Sequence, residues 1–285
     1  MSLWVLDKEA MASFVTNTMA DYRVVGPVAK GTKFAFDRIE DPADLRLDYD
    51  TSILPPKKYL QPQEERMMTF TRTGEPVVEL DIDAPPTVVL GVHTCDLHGM
   101  RVLDEAFSQG YPDASYLERR KKTLLVGIEC LEPCDEHSFC KSMGTLTASE
   151  GYDLHLTDLG DSYAVDVGSS TGRTLLQKNS DARQATEADM QRINRVLGAK
   201  WPRFPYKLEF DVAELSTLMA QSYENPRRWI CRRNVSTLRA VISAGCRPSL
   251  TAARSAGSPK ASQPIGCSTA SPFMRWKREM TSLGT

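Results

Sequence analysis

Two short apolar runs interrupt an otherwise mixed pattern. Residues 87–92 (TVVLGV) and 123–128 (TLLVGI) are nearly continuous in Val, Leu and Ile, and each is bounded by polar or turn residues. Six residues is a strand's length, and a run without alternation predicts a strand covered on both faces. Helical periods fill the spaces between. Ala10, Met11, Phe14, Val15 and Met19 form a core stripe on a helix that Asp7 would cap and that ends near Ala20. Leu97, Met100, Leu103 and Phe107 mark a second helix, begun by Asp96. Residues 113–120, 186–197 and 212–223 predict three more, the last ended by Asn225-Pro226.

Period-two segments complete the reading. Residues 33–39 alternate, with Phe34 and Phe36 on one face, and residues 77–82 form a further strand. Residues 152–158 and 162–167 predict a hairpin around Leu159-Gly160-Asp161. Val24-Val25-Gly26-Pro27-Val28 predicts a turn of the chain, and residues 201–210, with two prolines, an irregular stretch. Pro55, Pro56 and Pro62 forbid a regular helix or a central strand over residues 45–65. That segment is expected to lie extended over another surface, with Lys57 and Lys58 facing either an anionic site or solvent. Together these elements predict an α/β fold, a mixed sheet with flanking helices, over residues 1–229.

Composition changes the picture at the end of the chain. Residues 232–285 carry nine Lys/Arg and one acid, a net +8 that leaves −10 for the preceding 231 residues of a chain with formal charge −2. Twenty-nine of those 54 residues are Ser, Ala, Gly, Thr or Pro, without a sustained apolar period. Such a composition does not offset chain entropy by burial, so residues 230–285 predict a disordered basic tail. The small net charge argues against a general nucleic-acid binder. No apolar run reaches the roughly 18 residues of a membrane span. The first residues show no basic segment leading into an apolar core, so the expected compartment is the cytoplasm. The cationic run Arg119-Arg120-Lys121-Lys122 is expected to be a solvated helix end.

The candidate chemistry is carried by cysteine. Of seven cysteines, Cys95 follows the first apolar run and Cys130, Cys134 and Cys140 follow the second. In open α/β sheets ligand sites form beyond the carboxyl ends of strands. In the cytosol such thiols are free, catalytic or metal-bound more often than paired as disulfides. Soft thiolates suit zinc and iron–sulfur clusters, and a [4Fe–4S] cluster takes one thiolate per iron. Only Cys130 and Cys134 approach the tight pair spacing of structural zinc. Spacing alone leaves cluster, zinc and two merely buried cysteines (Cys95 and Cys130) with similar weight. Asp96 and His137 are spare ligand candidates. No nucleophile elbow, Walker loop, HExxH or Rossmann glycine motif is present, which weakens a self-sufficient hydrolase, ATPase or dehydrogenase.

A run of motifs narrows this. Gly26-Pro27-Val28, LDYDTSILPPKKYLQPQEE (residues 47–65), GVHTCDLHGMRVLD (91–104), YLERRKKTLLVGIEC (116–130), EPCDEHSFCKSMGT (132–145) and YDLHLTDLGDSYAVDVGS (152–169) follow one another in order. In these pieces, spanning about residues 20–230, the chain resembles the beta-type iron–sulfur subunits of sulfhydrogenase-like cytosolic nickel–iron hydrogenases and the related A-type component of anaerobic sulfite reductase. The resemblance implies a non-catalytic electron-transfer subunit. Such a subunit works between a catalytic partner and a second partner that binds flavin and nicotinamide. It implies a [4Fe–4S] cluster on Cys95, Cys130, Cys134 and Cys140. Where many relatives carry Cys-Phe-Cys, this chain has Ser138-Phe139-Cys140, with Cys134 available instead. The family continues into a ferredoxin-like module with two C-x2-C-x2-C-x3-C-P runs; here only isolated Cys231, Cys246 and Cys267 follow. The basic Ser/Ala-rich tail fits translation in a shifted reading frame. The competing expectations are a zinc-stabilised scaffold subunit without redox role and a stand-alone flavin oxidoreductase, for which no flavin motif is found.

Overall fold

The computed structural model describes residues 3–71, 78–80, 82–208 and 211–223. It divides into two compact units, Met1–Lys207 and Leu208–Thr285. In chain order the first contains β1 (Leu3–Asp7), α1 (Met11–Met19), β2 (Arg23–Lys30), β3 (Lys33–Arg38), β4 (Met68–Phe70), β5 (Val78–Leu80) and β6 (Thr87–His93). It continues with α2 (Thr94–Ser108), α3 (Ala114–Lys121), β7 (Thr123–Ile128), β8 (Leu154–Asp158), β9 (Ser162–Val167), α4 (Ser170–Asn179), β10 (Arg183–Gln184) and α5 (Glu187–Lys200). In the second unit a 3-10 turn, Val212–Glu214, leads into α6 (Leu215–Tyr223), with the Asp211 carboxylate accepting from the Ala213 amide. The expected tail, with Cys231, Cys246 and Cys267, lies outside the described residues.

The sheet is mixed, with eight strands in the order β10-β1-β9-β8-β7-β6-β2-β3. β2, β6, β7 and β8 are mutually parallel; β3, β9, β1 and β10 extend it antiparallel on either side. Every residue of β6 and β7 is buried, as their unbroken apolar pattern requires. Side chains alternate between two cores. Phe14, Val15, Val88, Leu90, Leu124, Val126, Leu175 and Leu176 pack on the α1/α4 face. Val89, Val92, Leu97, Met100, Tyr116 and Leu125 pack on the face covered by α2, α3 and the proline-rich segment, which contributes Tyr49 and Leu60. Each fully buried Val or Leu is worth about 1.5–3 kcal/mol against leaving it exposed, so this layering dominates the stability of the unit.

The structure departs from the sequence expectations at defined places. Residues 24–28 are not a turn but the middle of β2. In a strand the N and O of one residue point to the same side, and Pro27 O accepts from Arg46 N at 2.8 Å. The missing Pro27 N–H therefore faces that side and removes no bond from the β2–β3 ladder. Asp7 caps no amide; it ends β1, opposite Ser162, and a 3-10 turn precedes α1. Asp96 lies inside the first turn of α2, whose cap position is His93. Arg119 is not solvated: it is 6% exposed, donating from Nε to Leu60 O at 2.7 Å and from Nη1 to Glu65 at 2.5 Å. β1, α4 and the short β10 have no counterpart in the sequence reading.

Candidate functional site

Because β6 and β7 run parallel with His93 opposite Ile128, their carboxyl ends open on the same edge of the sheet. A bulge between Leu90 and Val92 sets what leaves β6. Gly91 occupies it at φ 74°, a region that strains any residue with a Cβ. An added Cβ would also meet Leu47 at 2.8 Å and Pro27 at 3.2 Å. The extra residue shifts the alternation, so Val92 shares a core with Val89 rather than with Leu90. The chain then enters α2 directly, placing Cys95 in the first turn of that helix. No side chain caps this end of the helix.

Beyond β7, Glu129 N donates to Leu156 O at 2.8 Å, and the chain passes into a loop through Cys130, Cys134 and Cys140. Thr145 N closes back on Cys140 O at 3.0 Å. Cys95 is exposed and the other three are half-buried; all four are free thiols. They lie in one neighbourhood. The Thr94 hydroxyl reaches Cys130 Sγ at 3.7 Å. Cys95 and Cys140 are hydrogen-bond partners; that bond, then burial, pushes the Cys95 thiol up, while the same bond pulls Cys140 down. Burial raises Cys130 despite the Thr94 contact. Burial, followed by the charges of Cys130 and Cys140, pushes Cys134 up to about 12. Neighbouring cysteine charges thus oppose the ionisation of Cys95, Cys130 and Cys134, and a bound cation would relieve that opposition. Among the described residues, no three or more His, Cys, Asp or Glu side chains already stand in an arrangement that holds a metal ion. His137 is solvent-facing, packed edge-on to Tyr206 at 5.7 Å.

Residues 45–65 do lie over a surface, and it is this one. The Tyr49 ring stacks on His93 with centroids 4.1 Å apart, and its hydroxyl donates to Gly91 O at 2.8 Å. Burial raises the Tyr49 phenol; the charges of Asp96, Cys130, Cys95 and Cys134 raise it further. Burial likewise lowers His93 to about 4, so the stacked imidazole is neutral near pH 7. Lys57 offsets part of the burial that raises Asp96.

Three polar residues that the sequence reading passed over lie directly beneath the cysteine loop. Glu129 is held by Lys200 on one carboxylate oxygen and by His155 Nε2, at 2.7 Å, on the other. The Lys200 and Glu129 side chains are 2% and 3% exposed. Burial alone would raise the Glu129 carboxyl, but the bonds from His155 and Lys200 outweigh it and hold it low. A charged residue between an apolar strand and a cysteine was the one available sequence signal for Glu129. Lys200, the last residue of α5, carried none.

The chain is 36% identical over 187 residues to Sulfhydrogenase 2 subunit beta of Pyrococcus furiosus. The match covers 65% of this chain and 54% of the relative, so the chain spans about half the length of the relative it matches. No family model and no solved structure matches it. Over the matched residues, carried on a mixed α/β sheet, the chain is similar to a sulfhydrogenase beta subunit.

Proposed function

We propose that this chain is an electron-transfer subunit of a hydrogenase-type oxidoreductase, with Cys95, Cys130, Cys134 and Cys140 holding a [4Fe–4S] cluster. The observation that carries the reading is the gathering of four free thiols from two parallel strand ends on one sheet edge. The donor set fits the group: one thiolate per iron is required, and four are present. When bound, the cluster supplies one-electron storage and release. The chain's own residues do the rest. The first turn of α2 carries Cys95, the Thr94 hydroxyl supports Cys130, and Tyr49 with residues 45–65 covers one side and limits water. The electron partners are a catalytic subunit of the hydrogenase type and a second subunit that binds flavin and nicotinamide. The compartment is the cytoplasm. Among the described residues no helix is long and apolar enough to cross a membrane.

Anaerobic purification followed by iron, sulfide and zinc analysis tests this. About four irons and four sulfides per chain, with broad absorption near the blue, are expected. Zinc without colour would replace the reading with a zinc-stabilised scaffold. Replacing any one of the four cysteines by Ala should release most of the iron, because a cubane with three protein ligands is labile.

A further inference from the structure

The segment that ends α5 touches the cysteine loop along its whole length. Lys200 Nζ bonds the Glu129 carboxylate before the loop and donates to Leu146 O at 3.2 Å after it. Between these ends, Lys141 Nζ donates to Trp201 O at 3.1 Å and lies 5.9 Å from the Trp201 ring centroid. Arg203 pairs with Glu132, and Tyr206 packs on His137. Phe204, 1% exposed, anchors the segment in the interior. The outer contacts join exposed side chains, with Arg203 and Glu132 47% and 67% exposed, and such pairs contribute little. Lys200 is different: it is buried, and its one ammonium bridges both ends of the loop.

We propose that Lys200 is a positioning residue for the cysteine site. It fixes the separation of Glu129 and Leu146, the two points where the loop carrying Cys130, Cys134 and Cys140 joins the sheet body. Three of the four sulfurs thus keep their places opposite Cys95 because α5 holds them there. The cluster-holding part of this proposal rests on the function proposed above; the loop-fixing part does not. A lysine that served only to fill the core would stabilise the whole unit evenly. A bridging lysine protects one loop beyond its share of global stability.

The test compares the full-length wild type with Lys200→Met and with Glu129→Gln/Lys200→Met. The double variant removes both charges of the buried Lys200–Glu129 pair, so the carboxylate that the single variant strands is gone. Amide hydrogen exchange is followed at Ser142 and Thr145, which donate to Phe139 O and Cys140 O, against amides of β6 and β7. The expected result is roughly tenfold faster exchange at Ser142 and Thr145 in both variants. In the double variant the strand amides and the urea midpoint return near wild-type values while the loop stays fast. Loop amides that recover together with global stability would overturn the proposal. A second readout uses protein loaded anaerobically with iron and sulfide: release of iron to a chelator should be several-fold faster in both variants, with an altered electron-spin signature, and unchanged release would also overturn it. A wild type that takes up no iron sinks the cluster reading alone, and the exchange comparison still decides the role of Lys200.

Discussion

Two ion pairs in this molecule look alike in sequence and differ in structure. Arg119 sits in the last turn of α3 and Lys200 is the last residue of α5. At both positions the helix dipole gives a sufficient local reason for a cation. Yet each side chain turns inward and fastens another part of the chain. Arg119 holds the proline-rich segment through Leu60 O and Glu65, and Lys200 holds the cysteine loop through Glu129 and Leu146 O. The difference lies in the partner. Glu65 keeps 26% of its side chain in solvent, whereas Glu129 keeps 3% and also binds His155. A half-wet partner rehydrates when its cation is lost. A dry one does not.

That contrast predicts an order of effects. Lys200→Met should cost the most, about 3–5 kcal/mol of unfolding free energy, because it strands a buried carboxylate. Glu129→Gln in the same background should return most of it, since a neutral pair carries no desolvation penalty. Arg119→Met should cost about 2–3 kcal/mol, chiefly from the unsatisfied Leu60 carbonyl. Glu65→Gln should cost about 1 kcal/mol or less, as an exposed partner contributes little and the amide oxygen still accepts. Urea unfolding of the four variants checks the series. Equal costs for Lys200→Met and Arg119→Met would erase the distinction between the two pairs.

How far the sequence could be read follows the same division. The apolar runs at residues 87–92 and 123–128 specify β6 and β7 because burial on both faces is written into every position. The stripes Phe14/Val15 and Leu97/Met100 specify their helices for the same reason. β2 escapes such a reading because Gly26-Pro27 carries local turn chemistry. Only the Arg46 bond to Pro27 O and the fit of Gly26 against Leu45, where a Cβ would come within 2.6 Å, show that a strand tolerates the pair. Of the site, the four cysteines were legible as residue types beyond strand ends. Their surroundings were not. The stacking of Tyr49 on His93 and the Lys200–Glu129–His155 group join residues 44, 71 and 26 positions apart, counted from Tyr49 to His93, Glu129 to Lys200 and Glu129 to His155. No local period or motif encodes such pairings.

The opposite end of α5 supplies the smallest and sharpest of these contrasts. There the charge acts locally, and its logic is legible over four residues. The Thr186 hydroxyl accepts from Asp189 N, and the Asp189 carboxylate accepts from Thr186 N at 2.8 Å, a reciprocal capping box. Asp189 also pairs with Arg183 at 2.6 Å. The Arg183 bond first, then the two Thr186 bonds, hold the Asp189 carboxyl well below the usual range. A folded-state value below the unfolded one means that the contribution is present above the unfolded value of about 3.9 and fades as pH falls through the folded one. Asp189→Asn should therefore lower the urea midpoint by a small, constant amount above about pH 5, with the gap to wild type narrowing below about pH 4. Urea titrations at neutral pH and in steps down to the acid transition measure that gap. A gap that stays constant into strong acid would show that the amide loss, not the carboxylate charge, accounts for the difference. In that case the charge that matters to α5 would be the buried one at Lys200, with its exposed cap contributing only geometry.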